Sequence, residues 1–173
     1  MSDVDEAFDE ILLRRNGAML IATVAVRGDD GAIERSGSLV GFATQCSIEP
    51  RRFLLCLSVA NHTTSLAAEV DHVGVHAVPV DRFDLAELFG GSTGDDPGVD
   101  KLAEVPWGDG PHGVPILDGC PDHFVGEVLE RIPLGDHIGY LLAPVAAEVE
   151  APGETRDYLR LEEADAIDPG HSA

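Results

Sequence analysis

The chain has almost no lysine. Lys101 is the only one, and Lys and Arg together number 11 against 32 Asp and Glu, a formal net charge of −21. A surface so short of cations repels nucleic acid and anionic membranes. It repels phosphate-bearing cofactors too, although salt screens that field beyond roughly 10 Å at 0.1 M. A bound phosphate therefore needs local dipoles. Cysteine is also scarce: Cys46, Cys56 and Cys120, an odd number with no Cys-x-x-Cys spacing. That excludes a disulfide framework and a zinc knuckle, and fits reduced thiols in a cytoplasm. No apolar run is long enough to span a membrane. Residues 1–10 are acidic where a secretory signal requires a basic start and an apolar run. The expected location is cytoplasmic, with no nucleic-acid or membrane partner.

What is present is enough for a core. Hydrophobic residues make up 44% of 173 positions, which points to one folded domain. Residues 3–15 read as a helix: Val4, Ala7, Phe8, Ile11 and Leu12 recur at helical spacing, with acids early and Arg14 and Arg15 late. Asn16-Gly17 ends it. Residues 18–26 are apolar at nearly every position, the mark of a strand buried on both faces. A turn at 27–31 returns the chain as a hairpin over 32–40. Further strands are expected at 53–58, 73–80, 124–132 and 137–149, and a short edge strand at 158–161. Asp81 is expected to cap a short helix through Phe89.

Residues 90–98 read as a surface loop. They are glycine-rich, but they lack Lys-Ser/Thr and carry two aspartates that an anion would meet, so they are no phosphate cradle. Residues 106–115 look irregular, and 165–173 read as a frayed tail. Many strands with tight turns and three short helices argue an antiparallel, nearly closed barrel, mainly β. Regular strand–helix alternation, the sign of a doubly wound sheet, is absent.

The stretch 37–50 begins like a strand and then changes character. Gly41, Ala43 and Ser47 are small, and Thr44 and Gln45 can hydrogen-bond. A packed core strand prefers bulky branched residues, whereas interior glycine marks close approach by another group. The stretch suits a wall for a flat ring, and equally an ordinary strand packed under a helix. Cys46 within it reads as a small buried packing residue rather than a nucleophile. Downstream, Asn61, His62, Thr63 and Thr64 stand where a helix begins. Free N–H groups and hydroxyls there suit an anion, and plain capping uses the same residue types. His72 and His76 share a strand face, but a metal pair needs further ligands and none is evident. His137 follows Gly135-Asp136 at a strand start, where it either meets a ligand or simply pairs with Asp136.

The order of these signals resembles the flavin-reductase-like, FMN-binding split-barrel family. The stretch Gly41-Phe-Ala-Thr-Gln-Cys-Ser-Ile-Glu-Pro50 stands in place of that family's hydroxyl-rich run after a hairpin. Asn61-His62-Thr63 stands at its turn into a helix, followed by the strand 70–78 and Leu85-Ala86-Glu-Leu-Phe89. Gly113-Val-Pro115-Ile-Leu117-Asp-Gly119-Cys120 and Gly135-Asp136-His137 follow in the same order. The match covers about residues 15–150 and looks closest to an actinobacterial branch. Residues 1–150 would then form the split-barrel domain, and 151–173 an acidic, partly frayed extension. Two departures stand out: Leu39-Val40-Gly41-Phe42 lacks the family's hydroxyls, and Arg51 replaces a second proline.

The resemblance implies an antiparallel split β-barrel acting as an NAD(P)H-dependent flavin reductase. It implies FMN or FAD as cofactor, NAD(P)H as co-substrate, a homodimer with flavin at the interface, and a monooxygenase taking up the reduced flavin. Val40, Gly41, Phe42, Ala43, Thr44, Gln45, Cys46 and Ser47 would line the ring. Asn61, His62, Thr63 and Thr64 would meet the phosphate, and His137 would stand beside the flavin or nicotinamide. The alternative is a non-enzymatic FMN-binding or electron-transfer protein.

Overall fold

The computed structural model describes residues 2–91, 100–164 and 166–167. Helix α1 spans Asp3–Arg15, as its periodicity predicts. Ser2 caps it: its hydroxyl accepts from the Asp5 N–H at 3.2 Å, and the Asp5 carboxylate accepts from the Ser2 N–H at 2.9 Å. This reciprocal pair satisfies two otherwise orphaned donors. Asn16 ends the helix in the left-handed region at φ 47°, with its N–H on the Leu13 carbonyl.

Strands β1 (Leu20–Arg27) and β2 (Ile33–Val40) form an unbroken hairpin in register from Leu20↔Val40 to Arg27↔Ile33. Its turn uses Gly31 at φ 84° and the Asp30 carboxylate, which takes the Ala32 N–H at 2.9 Å. Next come β3 (Ala43–Ser47), β4 (Arg52–Ser58), α2 (His62–Ala67), β5 (His72–Ala77) and α3 (Phe83–Gly91). Beyond α3 lie β6 (Trp107–Asp109), β7 (Pro115–Leu117), the long pair β8 (His123–Pro133) and β9 (His137–Glu148), and α4 (Leu161–Ala164).

Seven strands make one antiparallel sheet, in the order β2-β1-β5-β8-β9-β4-β3. The two end strands, β2 and β3, are consecutive in the chain and are joined by Gly41 and Phe42 alone. Three peptide links span at most about 11 Å, while six strand spacings across a flat sheet would span about 29 Å. The sheet must therefore curl until its edges nearly meet. Gly41-Phe42 lies across that seam.

Curling gives the sheet an inside and an outside. Ala22 and Val24 pack inside with Leu55, Leu57, Val73, Val75, Tyr140 and Leu142. Ile21 packs outside with Leu85 and Phe89 of α3, and with Leu117, Cys120 and Leu159. This is why β1 carries apolar residues on both faces.

Four expectations are corrected. Residues 106–115 are not irregular: β6 and β7 form a hairpin around a 3₁₀ turn at Pro111–Gly113. Buried groups hold that hairpin. Thr23 Oγ1 donates to the Pro115 carbonyl at 2.7 Å, and the Leu117 N–H donates to His76 Nε2 at 3.3 Å. Asp81 lies in the turn before α3 and does not cap it; Asp84 supplies the first-turn acid. Gly90 and Gly91 end α3 and are not loop, while 92–98 of the expected loop lie outside the described residues. The expected edge strand at 158–161 is reduced to two bridges, Pro79↔Tyr158 and Ala18↔Arg160, after which Leu161 opens α4. Most of the expected frayed tail lies outside the described residues. No helix among the described residues is long and apolar enough to cross a membrane.

Candidate active site

The seam builds the site. Phe42 is held at the backbone by the Cys56 N–H, which donates to its carbonyl at 2.9 Å and ties the link to β4. Its side chain remains 53% exposed. Across from it, His137 opens β9, and the two rings meet with centroids 5.1 Å apart and planes at 54°. His137 Nδ1 donates to Asp136 Oδ1 at 2.8 Å. That bond holds the Asp136 carboxyl below the usual carboxylate range, and it fixes the ring so that Nε2 is the edge left for a ligand.

Two cavities flank the link. The larger, of about 470 Å³, has Val40, Gly41 and Phe42 as wall and Ser58, Asn61 and His137 as its polar groups. Leu161, Ala164 and Ile167 close its far side. The smaller, of about 330 Å³, is lined by Gly41, Phe42, Ala43 and Thr44, with Leu12 and Arg15 of α1. Cys56 borders both cavities. Burial raises its thiol pKa, which disfavours the reactive thiolate.

The structure thus brings Val40, Gly41, Phe42, Asn61 and His137 around one space, with Ala43 and Thr44 in the next. Gln45, Cys46 and Ser47 continue along β3, the end strand of the sheet, where Gln45 Nε2 donates to the Ser47 carbonyl at 3.1 Å. Cys46 sits at the register shift between Gln45 and Ser47 and is exposed, not buried as its size suggested. A bulge on an end strand turns a small side chain outward.

At α2, Asn61 takes the cap position in extended backbone (φ −81°, ψ 133°). His62 borders a third cavity, of about 290 Å³, with Arg35, Ser36 and Lys101. Its Nε2 is 2.9 Å from Glu34 Oε1. Thr63 and Thr64 are buried: Thr63 Oγ1 bonds Ser36 Oγ at 2.7 Å, and Thr64 Oγ1 donates to the Ser58 carbonyl at 2.5 Å. Their hydroxyls lock α2 onto β2 and β4. The far end of α2 is clamped by Arg131, which donates to the Ala67 carbonyl through Nε at 3.2 Å and Nη2 at 3.1 Å, and to the Val70 carbonyl.

Sequence reasoning missed the contributions of Leu12, Arg15 and Met19, and above all that of Leu161, Ala164 and Ile167. Residues 158–161 read as a short edge strand, but nothing in them said which cavity that segment would close.

The family described as flavin reductase like domain matches residues 15–161. The FMN reductase (NADH) RutF of Stutzerimonas stutzeri strain A1501 is 28% identical over 120 residues, 69% of this chain and 67% of that protein. The stachydrine N-demethylase reductase subunit Stc3 of Rhizobium meliloti strain 1021 is 25% identical over 134 residues, and the match spans 77% of this chain but only 56% of that protein. The flavin reductase domain protein from Arthrobacter sp. FB24 superposes with a TM-score of 0.73 at 22% identity, covering 90% of this chain and 94% of the other.

Proposed function

The chain belongs to the flavin reductase like domain family, and from that premise we propose that it is an NAD(P)H-dependent flavin reductase that uses FMN, with FAD as the second choice. The observation that carries the reading is the convergence of Val40, Gly41, Phe42, Asn61 and His137 on one cavity at the seam. The residues fit the group. The cavity is of ligand size, its wall is apolar, and its few polar side chains are gathered at one side, as a ring with a polar edge and a polar tail requires. RutF bears the name of an NADH-dependent FMN reductase, which supports the choice of cofactor and co-substrate.

A bound flavin would supply the redox chemistry, as the acceptor of reducing equivalents from NAD(P)H. The protein's own part is positioning and water exclusion. Gly41 and Phe42 form the wall. His137, oriented by Asp136, offers Nε2 to the ring edge or to the nicotinamide. Asn61 and Ser58, with Thr63 and Thr64 fixing α2 behind them, hold the phosphate end. Arg131 keeps α2 in place from its other end. That chemistry needs no general acid or base from the protein, and none is assigned.

A homodimer completes this reading. On α1, Val4, Phe8 and Ile11 are 76%, 57% and 60% exposed along one helix face, an apolar stripe that a second copy would cover. Thr44, Gln45, Cys46 and Ser47, on the end strand of the sheet, would then reach a ring bound at the interface. Stc3 is named as a reductase subunit of a demethylase, which supports a monooxygenase as consumer of the reduced flavin. The proposed location is cytoplasmic.

The deciding experiment records the visible spectrum of the purified protein. NADH or NADPH is then added with and without excess FMN or FAD. Catalytic loss of reduced nicotinamide on adding flavin is the expected result. A yellow protein inert to both nucleotides would make it an electron carrier, and a protein that takes up no flavin would end both readings.

A further inference from the structure

Leu161 stands over Gly41. A Cβ placed on Gly41 would lie 3.6 Å from Leu161 Cδ1 and 3.6 Å from Met19 Cε. Leu161 also borders both cavities at the seam, as do Gly41, Phe42 and Cys56. It is the side chain opposite the link, so it helps divide one apolar trough into the 470 Å³ and 330 Å³ spaces.

Its position is fixed from several directions. The Leu161 N–H donates to the Gly17 carbonyl at 2.9 Å, and the next N–H, of Glu162, donates to Asn16 Oδ1 at 3.1 Å. Two residues upstream, Leu159 is fully buried. Its N–H meets the Val78 carbonyl and its carbonyl takes the Met19 N–H, both at 2.9 Å. Downstream, Ala164 is buried beside Phe89 and Ala86 in the outer core. A backbone anchored on both sides in this way keeps the Leu161 Cα over Gly41.

We infer that Leu161 is a ring-contact residue that sets which flat ligands the Gly41 face admits. This rests on the flavin reading above and adds a residue to it from the C-terminal segment. With leucine at 161, the face is split between a larger space on the His137 side and a smaller one on the α1 side. A smaller residue joins the two spaces, and a larger one covers the face. Because Leu161 is apolar and sits over the wall, its contact is with the ring and not with a phosphate tail. FMN and riboflavin should therefore feel it equally.

The test measures FMN and riboflavin dissociation constants by flavin fluorescence for the wild type, Leu161→Ala, Leu161→Trp and Leu159→Ala, with the Tm of each. Leu161→Ala is expected to weaken both flavins by the same factor, about fivefold for a lost apolar contact, and to shift the visible absorption band of bound flavin. Leu161→Trp is expected to weaken both more than tenfold at nearly unchanged Tm. Leu159→Ala is expected to lower Tm by several degrees and to leave both constants within twofold at 15 °C. Wild-type affinity in both Leu161 variants would overturn the inference alone, as would a loss confined to FMN. A wild type that binds neither flavin would overturn the flavin reading first, and is seen before any variant is made.

Discussion

The rings of Phe42 and His137 meet at 5.1 Å across the seam, one from the two-residue link and the other from the start of β9. The pair joins the part of the site that forms a wall to the part that carries a hydrogen-bonding edge. His137→Ala removes that edge and leaves the wall. The expected result is flavin reduction slowed about tenfold, ~1.4 kcal/mol of transition-state stabilisation, at unchanged Tm. Stopped-flow absorbance and a melting curve decide it. An unchanged rate would leave His137 as a turn residue paired to Asp136.

The phosphate end is probed at Asn61, which borders the larger cavity. Asn61→Asp adds a negative charge at the place assigned to phosphate, and it is expected to weaken FMN about tenfold while riboflavin changes less than twofold. Equal loss for the two flavins would remove the phosphate from this place. Thr63 is a poor companion for that test. It is buried against Ser36, and a carboxylate there would threaten the fold before it met any ligand.

Arg131 acts at a distance from the ring. Arg131→Met keeps the aliphatic bulk and strips the donors from the Ala67 and Val70 carbonyls. Hydrogen bonds from a charged group typically contribute ~1.5–3 kcal/mol. Urea unfolding is expected to report a loss of about 2 kcal/mol, with FMN affinity falling because α2 no longer holds Asn61 in place. Full stability would show that the clamp is dispensable.

Acid should act through His76. The ring is fully buried, with Nδ1–H donating to the Ile21 carbonyl at 3.1 Å and Nε2 accepting from Leu117. Burial is the main cause of a pKa lowered from 6.5 to about 4. The unfolded chain therefore takes up a proton between pH 6.5 and 4 that the folded chain refuses. The stabilisation is fully present above pH 6.5 and declines as pH falls toward 4, by at most about 3 kcal/mol. Chemical denaturation at pH 7 and pH 5 is expected to show the decline. In His76→Gln, which has no titrating ring, that part of the slope should vanish, and an unchanged slope would assign it to carboxylates instead.

Much of this fold was legible because its signals are local. The 3.6-residue spacing of α1, the apolar run of β1 and the turn at Gly31 each act within a few residues. The barrel could be inferred from the number of strands and turns. The β6–β7 hairpin was not legible, because two three-residue strands carry too little pattern. Groups far away in sequence, Thr23 and His76, hold them in place. Cys46 was misjudged for a related reason: its exposure depends on a bulge in an end strand, and residue size carries no such information. The largest gap was the segment around Leu161. Its apolar positions gave no hint that Gly17, Asn16 and Val78 would fix it beside Gly41.

The two-residue link has a further consequence for motion. β2 and β3 are the two ends of the strand order, and among the described residues neither has a strand on its outer side. Such edges open most readily, and their amides exchange with solvent first. In a flat sheet the two edges would open independently. Here Gly41-Phe42 makes them neighbours, and a ligand seated on the link touches both. Flavin binding should therefore slow amide exchange at the two ends of the sheet together, and leave β5 and β8 in its middle unchanged.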